Sequence, residues 1–181
     1  MKIVLSAHSM PNANNSHAVI VMGVFGTGKS TIGKSLAERL GYSYADAEDY
    51  HPESNIAKMG DGIALSDTDR EPWLDHLREL IEEHLLNGTG IVLAYSALRE
   101  IYRERLQPAE GQLKWIFLQG DRELLAARMA ACTDHAIPLT LLDFQLATLE
   151  VPAPRDALWC NVADSPENIT AAAHHHITTT S

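Results

Sequence analysis

Two periodicities run through the chain. Apolar runs of strand length occur at AVIVMG (18 to 23), YSYAD (42 to 46), GIVLAYS (90 to 96), KWIFLQ (114 to 119) and DALWCNV (156 to 162). Between them the apolar positions recur every three to four residues, the spacing of one helix face. KSTIGKSLAERLGY carries Ile32, Leu36 and Leu40 in this way, and SDTDREPWLDHLRELIEEHLLNG carries Trp73, Leu77, Leu80, Ile81 and Leu85. The second of these opens on the cap-type residues Ser66 and Asp67 and stops at Asn87-Gly88, so one long amphipathic helix is predicted. HPESNIAKMGDG (51 to 62) reads as a turn and a short helix begun by Pro52. ALREIYRERL, DRELLAARMA and PENITAAAHHH read as further helices.

Strands alternating with helices predict an α/β fold: a three-layer arrangement with a parallel five-stranded sheet and helices on both faces. Residues 131 to 152 exceed an ordinary connection and are expected to form a small mobile lid. The boundaries expected are an N-terminal extension over 1–17, disordered, then one domain over 18–170, and a polar tail over 171–181. At 181 residues the chain suits a single core.

GVFGTGKS (23 to 30) has the spacing G-x-x-x-x-G-K-[ST] between a predicted strand and a predicted helix. Glycines let successive backbone N–H groups turn toward one anion, a lysine adds a point charge, and a serine hydroxyl suits Mg²⁺. Gly23, Phe25, Gly26, Thr27, Gly28, Lys29, Ser30 and Thr31 are therefore the expected nucleotide contacts. The fold class this motif implies is like that of the phosphate-loop (P-loop) nucleoside-triphosphate hydrolases.

Composition narrows the partners. Lysine and arginine number 14 against 24 aspartates and glutamates, a formal charge of −10, which disfavours a broad nucleic-acid or anionic-membrane surface. No apolar run reaches the length of a membrane helix. Cys132 and Cys160 fit no metal or redox spacing, as in a reduced cytoplasmic chain. His174 to His176 lack a further ligand and read as a solvated terminus. Neither N-K-x-D nor D-x-x-G occurs, which weakens a GTPase reading, and a small phosphotransferase remains.

The second strand ends in DAEDYH, where Asp46 and Glu48 can divide the labour: one orders a Mg²⁺ shell and the other orients or deprotonates an acceptor hydroxyl. The same pair also fits a solvated turn that caps the next helix.

Beyond the loop, Asp46, His51, Pro52, Asn55, Lys58, Met59, Gly62, Leu65, Asp67, Asp69, Arg70, Pro72, Trp73 and Leu74 stand in the register D-x-D-x-x-H-P-x-x-N-x-x-K-M-x-x-G-x-x-L-x-D-x-D-R-x-P-W-L. Ser96, Ala97, Leu98, Tyr102, Arg103 and Leu106 follow S-A-L-K-x-x-Y-R-x-x-L. In this register the chain resembles the gluconate kinases, P-loop phosphotransferases of shikimate-kinase-like and adenylate-kinase-like fold.

The resemblance implies ATP and Mg²⁺ as cofactors, D-gluconate or a similar sugar acid as acceptor, and a homodimer. It assigns catalysis to Lys29, Asp46, Glu48 and Arg128, with Arg128 also near the nucleotide, and the metal to Ser30 and Asp46. Acceptor contacts fall on Glu48, His51, Asn55, Lys58, Arg70, Arg103, His135 and Gln145. A sugar acid calls for cations and amide donors of this kind, although Lys58 and Arg70 also fit ordinary surface ion pairs.

The chain departs from the pattern at several places. Glu48 replaces the second aspartate, and RMAACTDHAIP replaces R-x-x-x-R-x-G-H-F-M-P, with Cys132, Asp134 and Ala136 for arginine, glycine and phenylalanine. Phe25, Tyr95, Phe144 and Leu146 are further changes. Arg122 is a candidate to replace the lost lid arginine. The alternatives to a gluconokinase are a kinase for another sugar acid or a shikimate-type acceptor, and an ATP-binding homologue with weakened catalysis.

Overall fold

The structure, a computed structural model, describes residues 16–109, 113–131 and 138–180. Its elements in chain order are β1 (Ala18–Met22), α1 (Lys29–Leu40), β2 (Ser43–Asp46), a 3₁₀ turn (Ala47–Tyr50), α2 (Glu53–Gly60), α3 (Asp67–Leu86), β3 (Ile91–Ala94), α4 (Glu100–Arg105), β4 (Leu113–Gln119), α5 (Arg122–Ala131), α6 (Leu139–Thr148), β5 (Leu158–Asn161) and α7 (Pro166–Thr179). The strands form one five-stranded sheet in the order β2-β3-β1-β4-β5. Every pairing is parallel, with Ala18 opposite both Ile91 and Leu113.

β1 is buried along its whole length because the sheet is covered on both faces. Ala18, Ile20 and Met22 pack with Trp73, Leu74, Leu77 and Ile81 of α3. The alternate residues Val19 and Val21 pack with Ile32 and Leu36 of α1, Leu125 of α5 and Ile169 and Ala173 of α7. The period of two in the strand thus supplies two separate cores.

Local chemistry sets the helix ends. Ser66 caps α3 by accepting from the Asp69 N–H, and the Asp69 carboxylate accepts from the Ser66 N–H in return, a reciprocal capping box. After α1, the Tyr42 N–H reaches Ala37 O and the Gly41 N–H reaches Glu38 O, with Gly41 in the left-handed region that closes such an end.

Three expectations need correcting or delimiting. The helix expected from Ala97 begins at Glu100, because Ala97 turns the chain at φ 48 and the Arg103 guanidinium holds the carbonyls of Ala97 and Leu98. The tail expected from 171 is instead the continuation of α7 to Thr179, with Ala173 and Ile177 buried against the sheet; histidines and threonines on the outer face masked that apolar stripe. Most of the N-terminal extension (1–15), and the lid residues 132–137 with Cys132, Asp134, His135 and Ala136, lie outside the described residues. The lid helix expected near Pro138 is α6.

Candidate active site

The carboxyl ends of β1, β2 and β3 converge on one edge of the sheet, where an α/β fold places its ligand. From β1 the chain enters the glycine loop. Gly23 has φ +149, and a Cβ there would stand 2.7 Å from Leu118 O and 2.9 Å from Thr27 Oγ1, so only glycine fits without displacing backbone. Thr27 Oγ1 donates to Val24 O at 2.8 Å and fixes the turn. Gly28 caps α1 without a side-chain hydrogen bond, and the first turn of α1 carries no acid. The positive end of the helix therefore faces the cleft with its N–H groups uncapped by side chains.

Lys29 Nζ donates to Val24 O at 3.1 Å and lies 5.8 Å from the Phe25 ring centroid. Burial draws this ammonium down from its ordinary 10.5 to about 8, against the opposing pull of Glu48 and Asp46. Ser30 Oγ donates to Asp46 Oδ2 at 3.0 Å, Tyr44 OH approaches the same oxygen at 3.3 Å, and the Glu48 N–H donates to Asp46 Oδ1 at 3.2 Å. A serine hydroxyl and a carboxylate side by side at the mouth of the loop are hard oxygen donors, the set that suits Mg²⁺ held mainly by water and phosphate. Among the described residues no cluster of three or more histidines, cysteines or carboxylates forms a self-contained metal cage.

Two clefts open here. One, of about 490 Å³, is bordered by the glycine loop, Lys29, Ser30, Thr31, Asp46 and Arg128. The other, of about 470 Å³, is bordered by His51, Arg70, Arg99, Tyr102 and Gln145. Phe25, Glu48, Tyr95 and Ser96 border both, so the clefts meet along these four residues, of which Glu48 alone carries a carboxylate.

The expected acceptor residues divide into two groups. Glu48, His51, Arg70 and Gln145 border the second cleft; Asn55, Lys58 and Arg103 do not. Asn55 is buried and donates to Asp69 O at 2.9 Å. Lys58 Nζ pairs with Asp69 Oδ1 at 2.6 Å, and Arg103 serves the turn at Ala97. Arg70 donates to Leu65 O at 2.5 Å. Arg128 donates to Val162 O at 2.5 Å and still edges the first cleft. Arg122 forms a two-pronged pair with Asp143 of α6, at 2.5 and 2.9 Å, which ties α5 to α6 rather than facing either cleft.

Arg99, not among the residues expected from the sequence, also borders the second cleft. Its guanidinium pairs with Asp67 at 2.8 Å, and with Arg70 it flanks the Tyr102 ring at 5.4 and 5.7 Å. Tyr102 OH donates to Asp67 Oδ1 at 2.6 Å. Arg99 and Ser96 follow β3, so the rule that ligands gather past the carboxyl ends of strands is the signal that points to them. Gln145 has a second connection: its Oε1 accepts the Phe25 N–H at 2.7 Å and ties α6 to the glycine loop.

Residues 19–137 match the protein family described as an AAA domain. A gluconokinase from Arabidopsis thaliana is 40% identical over 174 residues, covering 89% of this chain and 92% of that protein. The crystal structure of a gluconokinase from Sinorhizobium meliloti 1021 superposes with a TM-score of 0.77 at 38% identity, covering 91% of this chain and 93% of that one. Shikimate kinase from Aquifex aeolicus, at 14% identity and a TM-score of 0.54 over 89% of this chain and 96% of that one, shares the fold. A glycine loop, a Ser30–Asp46 pair and two clefts joined at Glu48, carried on this sheet and in a sequence so close to these relatives over nearly their whole length, place the chain in the gluconokinase family.

Proposed function

We propose that the chain is an ATP-dependent gluconokinase that phosphorylates the terminal hydroxyl of D-gluconate, giving 6-phospho-D-gluconate and ADP. The observation that carries this reading is the meeting of the two clefts at Glu48, with the phosphate loop on one side and Arg70 and Arg99 on the other.

In this reading the backbone N–H groups from Gly23 to Thr31 and the Lys29 ammonium cradle the triphosphate, and Arg128 borders the nucleotide. Ser30 and Asp46 would hold Mg²⁺, which when bound offsets phosphate charge. Arg70 and Arg99 supply cations for the acceptor carboxylate, and Gln145 and Ser96 supply hydrogen-bonding groups for its hydroxyls. Glu48 accepts the proton of the attacking hydroxyl. The hydroxyl oxygen bonds to the γ-phosphorus, the bond from that phosphorus to the β–γ bridging oxygen breaks, and its electron pair leaves with ADP.

Lys58, Asn55 and Arg103 support the site from behind. The reading includes a homodimer and a cytoplasmic setting, which the family resemblance supports. Among the described residues no helix is long and apolar enough to cross a membrane, and the net charge of −10 argues against a nucleic-acid partner.

Proton-coupled phosphorus NMR of the product tests the regiochemistry. A phosphate on the terminal CH₂ couples to two protons and gives a triplet, as expected. A doublet, from phosphate on a secondary carbon, would overturn the assignment of the terminal hydroxyl.

A further inference from the structure

His51 lies at the edge of the acceptor cleft, yet both of its ring nitrogens are spoken for. The chain of contacts begins at Asn55, which is 2% exposed. Its Nδ2 donates to Asp69 O at 2.9 Å, and because a backbone carbonyl only accepts, this contact fixes which end of the amide is nitrogen. The same nitrogen, with a second N–H to give, lies 3.5 Å from His51 Nδ1. A nitrogen facing an N–H presents its lone pair, and on that ground the ring proton is assigned to Nε2. Nε2–H then donates to Glu48 Oε2 at 3.2 Å.

The imidazole plane is fixed as well. His51 stacks on the Trp73 indole, with centroids 3.8 Å apart and planes 21° from parallel. Trp73 is itself held by its Nε1–H to Ala47 O at 2.8 Å. The His51 side chain is 4% exposed, whereas that of Glu48 is 62% exposed. Glutamate has one more side-chain torsion to fix than the aspartate of the family pattern, and an exposed glutamate left alone samples several rotamers.

We propose that His51 is a positioning residue, not an acceptor ligand: the chain Asp69 O, Asn55, His51, Glu48 holds one carboxylate oxygen of Glu48 so that the other faces the junction of the two clefts. The inference rests on the reading of Glu48 as the group that accepts the hydroxyl proton. Misplacing a reacting group by about 1 Å can cost on the order of a hundredfold in rate, which gives the contact a kinetic consequence without any bond to substrate.

The test is steady-state kinetics of the full chain with ATP, Mg²⁺ and D-gluconate, beside thermal melting. Glu48→Gln removes the base and is expected to lower kcat by about a hundredfold or more. His51→Phe keeps the stack on Trp73 and loses the donor; it is expected to lower kcat by about tenfold or more, with KM for gluconate within about twofold of the parent. His51→Gln, whose amide N–H reaches where Nε2 did, is expected to recover most of that loss. In the Glu48→Gln background His51→Phe is expected to cost nothing further. Should His51→Phe not fold, His51→Asn, whose amide stops short of Glu48, is compared with His51→Gln instead. A rise in gluconate KM at unchanged kcat, or equal loss in the glutamine and phenylalanine variants with equal loss of melting temperature, would overturn the proposal. Parental kcat in Glu48→Gln would instead overturn the underlying role of Glu48.

Discussion

Lys29 is asked to be charged in a place that opposes charge. Its ammonium is drawn down to about 8 by burial, with Glu48 and Asp46 pulling the other way. An unfolded lysine keeps its proton to about 10.4. Between these values the unfolded chain binds more protons than the folded one, so this group's contribution to stability rises with pH across that window. A bound triphosphate reverses the balance by favouring the ammonium. ATP binding at a pH of about 9 is therefore expected to take up close to one proton, and affinity is expected to fall as pH climbs past about 8. Calorimetry in two buffers of different ionisation enthalpy reads the uptake, and Lys29→Met is expected to abolish it. A binding heat independent of the buffer would contradict the role.

At this scale the glycine loop with Lys29 and Ser30 was legible because one short spacing holds those residues together, and Asp46 was a candidate because it ends a predicted strand; the fold brings Ser30 and Asp46 to 3.0 Å. Lys58, Asn55 and Arg103 were less so: composition reports that a cation or amide is present, while tertiary packing decides which way it points. Arg99 meets Asp67 across a separation that no periodicity encodes.

The elements that border the second cleft, the proposed acceptor site, depend on the start of α3. Its capping box ties Ser66 to Asp69, and Lys58 of α2 and the Ser66 groups together hold the Asp69 carboxyl at about 2, well below its ordinary range. The sign follows from that depression. The contribution is complete above the unfolded value near 3.9 and is lost as pH falls through about 2. Ser66→Ala is expected to cost about 1 kcal/mol, read as a lower urea midpoint at unchanged slope. An unchanged midpoint would mean that the cap does not anchor α3.

Ser66, Asp67 and the apolar spacing made this helix readable before the structure, because capping and amphipathicity are local. The shortening of α4 was not readable: Ala97 takes its positive φ in a turn that Arg103 holds from the next helix. The bidentate Arg122–Asp143 pair, and the Gln145 contact to the glycine loop, join elements far apart in sequence and became visible only in the fold.

At the scale of the molecule, the alternation of strands and helices was enough to expect a parallel sheet covered on both faces. The order β2-β3-β1-β4-β5 was beyond it, since strands buried on both sides carry no register in their apolar pattern. The ordering matters for the proposed function because it sets β1 in the centre, with the ends of β2 and β3 on one side, and so the cleft at the glycine loop meets the cleft at Arg70 and Arg99, with Glu48 bordering both. The pattern's second lid arginine is Cys132 here, and the described cations at the phosphate cleft are Lys29 and Arg128.

Whether that arrangement transfers phosphate to a sugar acid is decided by one assay: coupled release of ADP with ATP and Mg²⁺, run with D-gluconate, with shikimate and without acceptor. The account predicts turnover that depends on gluconate and stands well above both the shikimate reaction and the blank. ATP binding with no gluconate-dependent release of ADP would contradict it.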